Sequence, residues 1–131
     1  MREILFRAKR IYENEWVEGS LICFADGCCF ICVQGENMDF LDKIGVIPKT
    51  VGQYTGRTDR NGKRIFEGDI VTGLFLFGLS VNAVVTFKDG AYGLEWYRGD
   101  IKTFDAFTSI CNVEYEVIGK IHDNPELLKG E

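Results

Sequence analysis

The chain is poor in proline and histidine, has no long apolar run, and carries no excess of positive charge. Two prolines in 131 residues, with no low-complexity run, argue against long disordered stretches. With His122 as the single histidine, no other residue can serve a Ser-His-Asp or Cys-His arrangement. No apolar run approaches the roughly 18 residues of a membrane-spanning helix. The opening MREILFRAKR lacks the continuous apolar core of a signal peptide, so the expected compartment is the cytoplasm. The net charge of −5 disfavours generic binding to nucleic acid or to an anionic membrane surface. Internal repeats are absent.

What is there describes an ordinary globular protein, with 46% hydrophobic and 27% charged residues. The length allows one domain, or two small subdomains sharing a core, that needs no staples. Five cysteines are present: Cys23, Cys28, Cys29, Cys32 and Cys111. An odd count without a secretion signal predicts free thiols.

The patterning is that of strands. Arg2 to Ala8 alternates, with Ile4, Phe6 and Ala8 on one face. Trp16 to Phe24 and Cys28 to Val33 follow across an Asp26-Gly27 turn and make a β-meander. Glu36 to Lys43 reads as a loop or one helical turn, and Ile44 to Ile47 is apolar up to Pro48. Ile70 to Phe77 is a strand before a turn at Gly78-Leu79-Ser80. Val81 to Lys88 alternates, with Val81, Ala83, Val85 and Phe87 on one face. Asp89-Gly90 turns the chain into Ala91 to Tyr97, with Tyr92, Leu94 and Trp96 inward. Ile101 to Ile110 reads as a loop or a short strand. Tyr115, Val117, Gly119 and Ile121 line a last strand. Asn124 caps a short helix over Pro125 to Leu128.

The most informative stretch is Val51 to Val71, VGQYTGRTDRNGKRIFEGDIV, with four glycines. Asn61-Gly62 is a strong hairpin signal, because both residues tolerate positive φ. Glu67-Gly68-Asp69 is a second turn, in which Gly68 takes a left-handed conformation and Asp69 accepts backbone N–H bonds. The stretch reads as loop, hairpin tip, turn and strand. It is not a phosphate-binding loop. Five residues separate Gly56 from Gly62-Lys63, Arg64 follows, and no helix comes next.

VGQYTGRTDRNGKRIFEGDIV resembles the signature of the YopX family of bacteriophage and prophage proteins. The opening MREILFRA and the closing EVIGKIHDNPELL also resemble that family, so the resemblance runs end to end. Lys49 stands where an acidic residue is expected after the proline. Lys120 and His122 stand where Asn and an aromatic are commoner. The resemblance implies a phage or prophage accessory protein in a host bacterial cell, and it brings no catalytic or binding residue with it.

Strands at this spacing with turns between them predict a mainly β protein. Residues 1–49 are expected to form an N-terminal β-meander. Residues 50–131 are expected to form an SH3-like β-barrel with a short C-terminal helix, and the resemblance implies the same for the C-terminal half.

Chemistry finds little support in the residues. Cys29 and Cys32 have half a zinc-knuckle spacing, but three residues apart on a strand they point to opposite faces, so no metal is expected; a strand that starts only at Phe30 would allow a knuckle with Cys23 as third ligand. His122 falls outward by parity. Asp26, Asp59, Asp69, Asp89, Asp100 and Asp123 sit where aspartate commonly turns the chain. Arg57, Arg60, Lys63 and Arg64, offset by Asp59, make a basic hairpin tip that a phosphate backbone could meet, with Tyr54 and Phe66 flanking it. Leu74-Phe75-Leu76-Phe77 is apolar on both faces and calls for coverage within the chain or by a second copy. The expected function is a non-enzymatic protein-interaction module without cofactor that self-associates or meets a phage or host protein. A nucleic-acid-binding barrel using the tip from Arg57 to Arg64 is the alternative. Asn61, Gly62, Gly68 and Asp69 are expected to serve the turns.

Overall fold

A computed structural model of the chain describes residues 1–34, 41–76, 79–107 and 115–128. Gly35, most of the 36–43 segment, Phe77, Gly78 and Cys111 lie outside the described residues. So do the side chains that would decide which face of residues 74–77 is covered. The fold is mainly β, with antiparallel pairing in every described ladder. Two compact units divide the chain, Met1–Tyr54 and Thr55–Glu131.

The first unit holds a run of four antiparallel strands. Its strands β1 (Phe6–Lys9), β2 (Trp16–Cys23), β3 (Cys29–Gln34) and β4 (Leu41–Val46) lie in spatial order β4-β3-β2-β1. The free side of β1 takes the beginning of β5 (Gly52–Thr58), with Phe6 opposite Gln53 and Arg7 opposite Gly52. Alternation on β3 turns Cys29 and Ile31 inward to join Ala8 and Val46, with Val17, Leu21, Val33 and Val51 packed around them. Burying Ile31 fully is worth about 1.5–3 kcal/mol. A 3-10 turn at Pro48–Thr50 is tied to β1 by Thr50. The Thr50 hydroxyl accepts the Lys9 N–H at 2.9 Å and donates to the Ile47 carbonyl at 2.6 Å.

The expectation of free thiols is corrected here. Cys23 and Cys29 stand opposite each other on β2 and β3 and are joined as a disulfide. A free-thiol argument from an odd count ignores register, and register places this pair side by side. Cys28 and Cys32 are free, Cys28 exposed and Cys32 buried.

The second unit holds the end of β5 and then β6 (Arg64–Phe66), β7 (Asp69–Leu76), β8 (Leu79–Lys88), β9 (Ala91–Arg98), β10 (Ile101–Ala106) and β11 (Glu116–Lys120). Five of these form an open sheet in the order β10-β9-β8-β7-β11. Closure into a barrel is not part of the described pairing. Alternation puts Ala83, Val85, Leu94 and Trp96 into the core with Ile65, Val71, Phe107, Tyr115 and Val117. Asp89 and Gly90, with φ of 52° and 83°, form the two-residue turn between β8 and β9. Phe87 continues the inward face of β8 but is half exposed at its end, edge-on to Tyr92 at 4.9 Å. A register shift between Val117 and Gly119 breaks the simple alternation of β11 and leaves Ile118 in water. The final turn is a short 3-10 helix, Pro125–Leu128, entered at Asn124, whose side-chain oxygen accepts the Lys120 N–H at 3.2 Å.

Candidate functional site

The basic tip and the Gly-Asp turn lie within the second unit from Thr55 onward. The sequence reading made residues 52–58 a loop; they are strand β5, with Gly56 at a φ of 87° near its end. The hairpin between β5 and β6 turns over Asp59 to Gly62. Gly62 N–H donates to the Asp59 carbonyl at 3.0 Å, and Asp59 N–H donates to the Lys63 carbonyl at 2.8 Å. Of the Asn61-Gly62 pair only Gly62 has positive φ, 81°. This is a longer hairpin loop than the two-residue type that Asn-Gly signals.

Asp59 is the reason. Its Oδ1 accepts the N–H groups of Asn61 at 2.8 Å and Lys63 at 2.9 Å. Its Oδ2 accepts the Val117 N–H at 3.0 Å. Burial pushes the Asp59 carboxyl up. The N–H bonds from Val117, Lys63 and Asn61, with the Lys63 charge, outweigh that and hold its pKa below the usual carboxylate value. A carboxylate so engaged holds β11 to the hairpin and offers little to a substrate.

Arg57 and Arg60 make contacts beside it. The Arg57 guanidinium lies over the Phe107 ring, 4.8 Å from its centroid. Phe107 in turn tilts against Tyr115 at 6.0 Å, whose phenol pKa is raised by burial against the opposing charge of Arg57. Arg60 donates its backbone N–H to the Tyr115 carbonyl at 2.9 Å and pairs its guanidinium with Glu116. Lys63 and Arg64 are exposed. Of the flanking aromatics, Phe66 is buried at 2% exposure and Tyr54 is half-buried, so Phe66 offers no ring face for a base to stack on.

The second turn runs from Phe66 to Asp69. Gly68 has a φ of 93°, its N–H donates to the Val85 carbonyl at 2.8 Å, and its carbonyl accepts the Ile121 N–H at 2.8 Å. Asp69 is fully buried, and its Oδ2 accepts the Phe66 N–H at 2.8 Å. Gly68 ties the β6–β7 corner to β8 and to the end of β11, and Asp69 closes the corner on itself.

His122 and Asp123 are exposed, as is Asp26, whose Oδ1 accepts the Cys28 N–H at 2.9 Å. Among the described residues no three His, Cys, Asp or Glu side chains converge as metal ligands. The partners that sequence reasoning missed are Phe107, Tyr115 and Glu116. They stand some 50 residues beyond the tip, and only tertiary pairing brings them close.

A family model described as YopX protein matches residues 5–129. Among curated proteins none matches the chain. Two solved structures are similar over nearly their whole lengths. Protein EF1440 from Enterococcus faecalis is 25% identical with a TM-score of 0.59, covering 98% of this chain and 99% of its own. Protein yopX from Bacillus subtilis is 21% identical with a TM-score of 0.62, covering 97% of each chain. Among the described residues no helix is long and apolar enough to cross a membrane.

Proposed function

On the premise that this chain belongs to the YopX family, we propose that it is a non-enzymatic phage or prophage accessory protein that works by self-association. The observation that carries this is the state of the edges of the five-stranded sheet. Its outer strands, β10 and β11, each keep an isoleucine in water, Ile101 at 66% and Ile118 at 38% exposure. An edge strand that keeps an apolar side chain exposed is a surface for pairing with another chain. The absence of chemistry in this reading is supported by Asp59 and Asp69, both buried and both bonded to backbone N–H groups. No cofactor enters it. The host cytoplasm is the proposed compartment.

An SH3-like character for residues 50–131 belongs to the same proposal. The order β10-β9-β8-β7-β11 supports it. A four-strand meander whose fifth strand returns beside the first is the strand order of such barrels.

Sedimentation velocity over a wide concentration range tests the proposal. The parent should sediment as a dimer or larger closed oligomer, and Ile101→Glu should shift it to monomer. A parent that stays monomeric at every concentration defeats the reading.

Nucleic-acid binding through the tip is the second reading, supported by Lys63 and Arg64 standing exposed together. Fluorescence anisotropy with single- and double-stranded oligonucleotides at low salt decides it. Binding that Lys63→Glu with Arg64→Glu abolishes would establish it, and no binding by the parent removes it.

A further inference from the structure

The β2–β3 hairpin ends in a sulfur cluster far in sequence from the basic tip. Cys23 and Cys29 face each other on the ladder with Cα atoms 4.2 Å apart and are joined as a disulfide. Opposed residues approach this closely at the non-hydrogen-bonded rungs of an antiparallel pair. The strands themselves hold the two cysteines there, through the register that runs from Ser20 opposite Cys32 to Cys23 opposite Cys29. The turn between them is also closed without the sulfurs. Phe24 N–H donates to the Cys28 carbonyl at 2.9 Å, and Gly27 N–H donates to the Phe24 carbonyl at 2.9 Å. A crosslink across so short and already closed a loop removes little chain entropy, which makes it a poor staple.

The two ends of the bond differ in access. Cys23 is exposed and Cys29 is buried at 8% exposure, so a thiol in solution reaches the Cys23 sulfur first. We propose that Cys23–Cys29 is an exchangeable disulfide, opened and closed through the Cys23 sulfur by a small-molecule thiol and its disulfide. Its state sets the packing of the Phe24–Cys28 turn and leaves the fold intact. In opening, the incoming thiolate forms a bond to the Cys23 sulfur. The bond to Cys29 breaks, and Cys29 leaves as a thiolate that takes up a proton. A second small thiol then attacks the mixed disulfide, releasing Cys23 as a thiol and leaving the small molecule oxidised.

The neighbouring free thiol does not compete. Cys28 is exposed, but the hydrogen bond and charge of Asp26 push its thiol up, so it stays protonated beside the bond. The turn has something to display. Phe24 is half exposed and packs edge-on to Phe30 at 5.8 Å, and Ile22 beside it is 42% exposed. Opening the bond loosens this apolar tip.

The test equilibrates the full chain in glutathione buffers of graded ratio and quenches it with an alkylating agent. Mass spectrometry then scores alkylation of Cys23 and Cys29, beside far-ultraviolet circular dichroism and amide hydrogen exchange. Both cysteines should titrate together in one two-electron step with an unchanged dichroism spectrum. The Phe24 and Gly27 amides should exchange faster in the reduced form, and Cys28→Ser should titrate as the parent does. The proposal is overturned if Cys23 and Cys29 stay protected, or stay alkylated, at every ratio. Loss of the dichroism signal on reduction, or loss of exchange in Cys28→Ser, overturns it equally.

Discussion

Asp59 is one carboxylate with three backbone partners, two in its own hairpin and one on β11. Its position in a turn is legible in the sequence, because Asp before Asn-Gly commonly bonds the backbone just ahead of it. The Val117 bond is not legible, since 58 residues separate the two. The consequence is a pH dependence of known sign. A carboxyl with a lowered folded pKa contributes stability that is fully present above its unfolded value, near 4, and is lost as pH falls through the folded value. Asp59→Asn keeps the shape but turns an N–H donor toward a donor. It should cost about 1.5–3 kcal/mol at neutral pH. The gap between variant and parent should close as the pH is taken below about 4. Urea unfolding at a series of pH values measures both. A gap that stays constant into acid would mean that the charge of Asp59 contributes nothing.

Elements were read well where alternation is clean. β8 and β9 bury Ala83, Val85, Leu94 and Trp96 on the faces their spacing marks. Reading failed where pairing, not pattern, makes the strand. β5 has two glycines and no alternation, and becomes a strand because β1 and β6 flank it. β10 was ambiguous for a related reason. Its outward Phe104 covers a gap in β9, where a Cβ on Gly93 would stand 2.7 Å from the Phe104 ring and 2.3 Å from the Asp105 carbonyl. Glu95 and Lys102, on the same two strands, pair at 3.3 Å with the Lys102 side chain half in solvent and Glu95 mostly covered, and a bridge open to water on one side adds about 1 kcal/mol or less. Gly93→Ala should therefore loosen the β9–β10 pair through overpacking, by about 1–3 kcal/mol. Lys102→Ala should change stability by less than about 1 kcal/mol. Thermal melts of the two variants beside the parent check the ranking, and the reverse order would contradict this account of the edge.

At the scale of the molecule, the signature stretch was legible as turns and as a family mark, and the basic tip was legible as a cluster. What the tip touches was not, because Phe107 and Glu116 reach it only through tertiary pairing. The disulfide escaped for the same reason: counting cysteines carries no register. The central claim is that Gly68 and Asp69 of this stretch hold the turn between β6 and β7 together. Gly68→Ala forces a side chain into a left-handed conformation at a cost of about 1–2 kcal/mol. Asp69→Ala strands the buried Phe66 N–H at a cost of about 1–3 kcal/mol. The most direct measurement is urea and thermal unfolding of Gly68→Ala, Asp69→Ala and the double variant beside the parent. The account predicts lowered stability in each single variant and the largest loss in the double one. Unchanged stability in all three would contradict it and would make Asp69 the leading site candidate.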